Sequence, residues 1–235
     1  MVRAGDRPDA PAMRLLIDPV VPSPRVIARA ASLLREGSLV AFPTDTLYAL
    51  GADASNGGAV ERVFAAKGRA RHRPIPLLVA DLAMATRTVG ALSEPAAQLA
   101  SRYWPGALTL LLPAPAALPR WLTAGTGRIG LRIPDSPIAL ALIRRVGGPI
   151  TGTSANRSAG PEPRDAGEVL RQLGDLVDIV LDGGAIRRGT ASTVVDVTVT
   201  PPAVVREGRI TKAAIFKLLG LQTPPARATR RAGRT

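Results

Sequence analysis

The chain has 235 residues, 46% of them hydrophobic and only 3% aromatic, with no cysteine, one histidine and a net charge of +13. That length allows one large domain or two small ones, with a core built from Ala, Leu, Val and Ile. Zero cysteine excludes disulfides and thiolate metal sites, a lone histidine suits proton relays poorly, and no apolar run reaches the length that spans a bilayer. A positive surplus of this size favours phosphate or nucleic-acid partners; solvated surface arginines are the plainer alternative.

Residues 1–12 are polar, carry Pro8 and Pro11, and show no apolar secretory signal. They are expected to be a disordered extension, and a cytoplasmic location is expected. Residues 14–17 read as a strand. Ser23-Pro24 reads as N-cap and first position of a helix, with Ile27, Ala30 and Leu34 at helical spacing and Gly37 ending it. Residues 38–42 read as a strand, 59–67 as a helix ended by Gly68, and 77–80 as a strand. Residues 95–104 are read as helical, 107–112 and 129–133 as strands. Ser136-Pro137 starts a helix to about residue 146, and 149–153 is a strand. A helix over 165–173 and a strand over 178–181 follow. A hairpin then spans 192–199 and 203–206, and a last helix covers 211–219. Strands alternating with helices predict an α/β fold with a twisted open mixed sheet and flanking helices. The expected division is one catalytic domain over 13–220 and a basic flexible tail over 221–235, which could touch RNA.

Three stretches carry the polar chemistry: residues 42–48 (FPTDTLY), Lys67-Gly68-Arg69, and residues 151–156 (TGTSAN). Lys67 and Arg69 could simply favour a helix C-terminus. With Arg71, His72 and Arg73 close behind, they could instead converge on one anion. Thr151, Thr153, Ser154 and Asn156 leave a strand end, where open α/β sheets usually bind ligands, or they could form a hydrophilic turn. Ser154 reads as a binding hydroxyl rather than a nucleophile, because His72 is flanked by arginines. Residues 125–130 match G-x-G-x-x-G, but a strand rather than a helix follows, so a dinucleotide site is rejected. No acidic cluster has metal-ligand spacing.

Several segments in register resemble the YrdC family, the threonylcarbamoyl-AMP synthases. They are FPTDTLYALGADA (42–54), AVERVFAAKGR (59–69), YWPGALTLLL (103–112), IGLRIP (129–134), TGTSANRS (151–158), STVVD (192–196) and Arg206. The resemblance implies a YrdC-like fold around a large basic cleft. It implies synthesis of L-threonylcarbamoyl-adenylate from L-threonine, bicarbonate and ATP, with pyrophosphate released and Mg2+ carried on the nucleotide. A partner transferase would then modify tRNA, with direct tRNA contact possible and no membrane involved. Lys67 and Arg69 would be catalytic. Thr46, Tyr48, Arg132 and Ser192 would hold threonine, while Lys67, Arg69, Arg73, Ser154, Asn156 and Arg206 would hold ATP. The chain departs from the family pattern at Ala49 and Ala159, where glycine is common, at Ala191, where glutamate is common, and around Arg73, where Asn and His are common. The competing readings are a non-catalytic RNA-binding module with the same basic cleft, and an enzyme that makes a different carbamoyl-adenylate.

Overall fold

A computed structural model describes residues 12–187 and 189–222. The expectations for the N-terminal extension and for most of the basic tail fall outside those residues.

Low aromatic content forces a core of aliphatic side chains on short elements. Strand β1 (Met13–Leu16) is followed by helix α1 (Pro24–Arg35), which buries Ile27, Ala30, Ala31 and Leu34 as its spacing predicts. β2 (Val40–Pro43) turns through residues 44–47 into β3 (Tyr48–Gly51), a strand that the sequence reading missed. The turn is closed by its own chemistry: Thr44 N–H and Oγ1 both donate to the Leu47 carbonyl, at 3.1 and 2.7 Å. Helix α2 (Gly57–Lys67) starts on the Asn56 side chain, which accepts from Ala59 N–H, and ends at Gly68 with φ +58.

β4 (Leu77–Leu78), α3 (Leu82–Val89), α4 (Glu94–Tyr103), β5 (Leu108–Pro113), α5 (Arg120–Thr123), β6 (Arg128–Arg132) and α6 (Pro137–Val146) follow. α3 and α5 were not expected, although Asp81 caps α3 through Met84 N–H at 2.7 Å. The G-x-G-x-x-G run leads into β6, so its rejection as a dinucleotide site holds. The chain ends with β7 (Ile150–Thr151), β8 (Thr153–Ser154), α7 (Ala166–Leu173), β9 (Ile179–Asp182), β10 (Thr193–Asp196), β11 (Ala203–Arg206) and α8 (Lys212–Leu218).

The mixed α/β class is as expected, but the strands divide between two sheets. One has the order β1-β9-β2-β3-β8 and the other β11-β10-β5-β6-β4-β7. Both mix parallel and antiparallel pairs. The segment read as one strand over 149–153 is split by Gly152: β7 pairs with β4 in the second sheet and β8 with β3 in the first. Backbone bonds from Thr151 N to Ala52 O (2.9 Å) and from Gly152 N to Pro76 O (2.8 Å) stitch this crossing to both sheets.

Gly152 is demanded by space rather than by torsion. A Cβ there would lie 2.4 Å from Leu78 Cγ, and Leu78 is itself buried. Gly152→Ala is expected to cost roughly 1–3 kcal/mol through overpacking, read as a lower denaturant midpoint at unchanged slope.

Candidate functional site

Where the two sheets meet, residues from both line one cavity of about 490 Å³. That volume lies within the range of small-molecule sites. The first sheet and its turns contribute Thr44, Thr46, Tyr48 and Ser154. The second contributes Thr109, Arg132 and Arg206, with Ser192 just before β10. Lys67, Arg69, Arg73 and Asn156 complete the expected set, so all ten proposed site residues line a single cavity. Five cations face it, and Glu162 is its one carboxylate.

Lys67 sits at the last turn of α2, only 3% exposed. Its ammonium donates to the Ser154 carbonyl, the Asn156 carbonyl (2.7 Å) and Asn156 Oδ1 (3.1 Å). Three donors on three protein oxygens saturate the group. Its contribution to a bound anion is therefore its charge and the shape it imposes on the Ser154–Asn156 corner, not a spare hydrogen bond. Ser154 Oγ donates to Asn156 Oδ1 at 2.6 Å, and Asn156 Nδ2 donates to Gly160 O at 2.8 Å. Burial, and secondly the charge of Arg69, push the Lys67 pKa down to about 8, so it is still a cation at pH 7.

Arg69 is half-buried, and its guanidinium shapes the following loop by donating to the carbonyls of Arg73 (3.1 Å) and Pro74 (2.8 Å). Burial pushes its pKa down, and the like charges of Arg73 and Arg206 add to that. The cluster expected after Gly68 converges only in part: Arg69 and Arg73 reach the cavity, while Arg71 pairs outside with Glu61 at 2.8 Å. His72 is exposed and does not line the cavity.

Arg132 is buried. It donates to Gly106 O (2.8 Å), Thr46 Oγ1 (2.8 Å) and Asp45 Oδ1 (2.5 Å). A guanidinium has five N–H groups, so two stay available to a ligand. Asp45, which also accepts from Asp135 N–H at 3.0 Å, was missed as a site residue. Its signal was present, since it is the one acid in the 42–48 stretch and a buried cation needs a partner. Ser192 Oγ lies 2.9 Å from Thr109 Oγ1, and Arg206 donates to the Ser192 carbonyl at 2.9 Å.

Two expectations change. Thr151 is fully buried; its hydroxyl accepts from Ala52 N–H and donates to Leu50 O, so it braces the strands and does not line the cavity. Tyr48 lines the cavity, but its hydroxyl donates to Gly184 O at 2.8 Å and is not offered to a ligand. Ala159, where the family commonly has glycine, takes φ +65 at the cavity wall, a conformation that costs a residue with a Cβ about 1–2 kcal/mol.

The family model Sua5_yciO_yrdC, described as "Telomere recombination", matches residues 32–208. The chain belongs to the Sua5/YciO/YrdC family. It is 44% identical over 195 residues to the Threonylcarbamoyl-AMP synthase of Bacillus subtilis and 41% identical over 191 residues to that of Pyrococcus abyssi. These matches cover 83% and 81% of the chain. The chain spans 56% of the length of each of these relatives. A solved structure titled as P. abyssi Sua5 complexed with L-threonine superposes with a TM-score of 0.85 at 38% identity. It covers 89% of this chain and 61% of that one.

Two predictions follow from the buried cations. Asp45→Asn leaves the Arg132 guanidinium without its charge partner, with an expected cost of roughly 3–5 kcal/mol in chemical denaturation. For Lys67, the folded pKa lies below the ordinary lysine value of 10.5. Between about pH 8 and 10.5 the unfolded chain therefore binds more protons, and stability rises with pH across that window. Below about pH 8 the burial cost is fully present. Lys67→Met should lack this rise, measured as the pH dependence of unfolding free energy against the parent chain.

Proposed function

We propose that this chain makes L-threonylcarbamoyl-adenylate from L-threonine, bicarbonate and ATP, a nucleotidyl transfer that releases pyrophosphate and feeds a tRNA-modifying transferase. The relatives' names and the threonine-bound neighbour support the reading. The observation that carries it is the crowding of Lys67, Arg69, Arg73, Arg132 and Arg206 around one cavity with a single carboxylate. Like charges crowded this closely disfavour one another, and an anionic ligand would relieve that repulsion.

The threonine ammonium and bicarbonate condense to a carbamate, with water lost and a proton released to solvent; a carbamate oxygen then attacks the α-phosphorus of ATP, and the bond to pyrophosphate breaks as it leaves. Both reactants are anionic, so charge repulsion is the main barrier. Arg69, Arg73 and Arg206 would offset the phosphate charge, and Lys67 would act through its field on the same groups. The two available N–H groups of Arg132, with Thr46 and Ser192, would hold the threonine carboxylate and hydroxyl. Ser154 and Asn156 would meet the nucleotide. Fixing both substrates in one cavity supplies the remaining advantage by orientation.

The proposed reaction needs no histidine, in keeping with the exposed position of His72. Among the described residues no group of three or more His, Cys, Asp or Glu is placed to hold a metal ion. The donor set of cations and hydroxyls does not fit a resident Mg2+; that ion would be carried by the nucleotide phosphates. Among the described residues no helix is long and apolar enough to cross a membrane. A non-catalytic RNA-binding module remains the alternative; it gives no role to the buried Arg132–Thr46–Ser192 set.

Arg69→Ala is expected to lower threonine- and bicarbonate-dependent pyrophosphate release on the order of a hundredfold. Parental turnover in that variant would remove Arg69 from the mechanism, and salt-sensitive RNA binding without any ATP turnover in the parent chain would favour the alternative.

A further inference from the structure

A second concavity of about 500 Å³ lies outside the substrate cavity, lined by Arg164, Arg187, Gly189, Thr190 and Arg209. Its three arginines are exposed. Among the described residues none of the three forms a salt bridge with a carboxylate. Surface arginines with no carboxylate partner are common; Arg164 and Arg209 differ in being held in place.

The backbone of Arg164 is fixed at both ends, its N–H donating to Glu168 Oε2 (2.6 Å) and its carbonyl accepting from Ile186 N–H (2.8 Å). Its side chain lies flat over Gly189: a Cβ there would meet Arg164 Cγ and Nε at 2.8 Å. Arg209 donates through its backbone to Ala191 O (3.0 Å) and through Nη1 to Asp45 O (3.1 Å), leaving the rest of its guanidinium available. The segment between the two concavities is short. Thr190 lines one, and Ala191 and Ser192 line the other.

We propose that Arg164, Arg187 and Arg209 form a second anion site that takes a phosphate group, either from a free oligophosphate or from an RNA strand. Arginine forks suit phosphate oxygens, and Thr190 adds a hydroxyl. Among the described residues no carboxylate lines this concavity, which distinguishes it from a surface of mixed charge. The assignment stands apart from the threonine reading, because it concerns residues outside the substrate cavity.

The test titrates inorganic pyrophosphate, and separately a short RNA hairpin, onto the full chain by calorimetry. Four proteins are compared: the parent, Arg164→Ala/Arg187→Ala, Gly189→Ala, and a control, Arg25→Ala/Arg29→Ala, that removes the same charge from exposed positions on α1. If free oligophosphate is the ligand, the parent binds a pyrophosphate at this site, counted beside whatever the first cavity takes. The Arg164/Arg187 variant then weakens that binding event by about tenfold or more. If a phosphodiester is the ligand, RNA affinity falls instead and its salt slope drops by about 2, one for each cation lost. Gly189→Ala, which displaces Arg164 without changing charge, should weaken the same event, and the control should not. The proposal is overturned if both ligands bind the Arg164/Arg187 variant as they bind the parent. It is equally overturned if the control loses as much affinity, or if the parent binds neither ligand outside the first cavity.

Discussion

The grip of the Lys67 ammonium on Ser154 and Asn156 organises this protein. One buried cation joins the end of α2 to the corner that follows β8. That corner is continuous with Gly152, where the chain passes from one sheet to the other. A second bond from the same residue, Ser158 N–H to Lys67 O at 2.7 Å, closes the loop on the helix end. Burying an unpaired ammonium is costly; here three carbonyl oxygens satisfy it. The cavity thus inherits a positive charge that cannot swing away.

The other half of the cavity follows the same logic with a different partner. Arg132 is buried because Asp45, Thr46 and Gly106 take three of its N–H groups. Asp45 thereby does for the second sheet what the Ser154–Asn156 corner does for the first. Arg69, Arg73 and Arg206, by contrast, have no carboxylate partner among the described residues. The cavity therefore combines buried cations held on several protein oxygens with cations that lack a carboxylate partner, an arrangement suited to holding a polyanion against a second anion.

Helices were legible wherever an N-cap and a spaced apolar face coincided, as at Ser23-Pro24, Ser136-Pro137 and Thr211. β3 was harder, because a buried strand of four residues carries no alternation to read. β3 was hidden behind a turn whose closure depends on the Thr44 hydroxyl. The division into two sheets could not be read from Gly152, since its necessity comes from Leu78, distant in sequence. The ten candidate site residues were proposed with the help of the family resemblance, and they line one cavity. Their individual commitments were not legible: the saturation of Lys67, the diversion of the Tyr48 hydroxyl and the Asp45 partnership are all long-range contacts.

In the proposed reaction one cavity brings a threonine-derived carbamate to ATP. Its most direct test supplies 13C-bicarbonate, L-threonine and ATP, and follows the products by mass spectrometry and 31P resonance. The expected result is a labile adenylate that carries the 13C label and threonine together, with one pyrophosphate released for each. Pyrophosphate release that continues without threonine, or an adenylate that lacks the label, would contradict it.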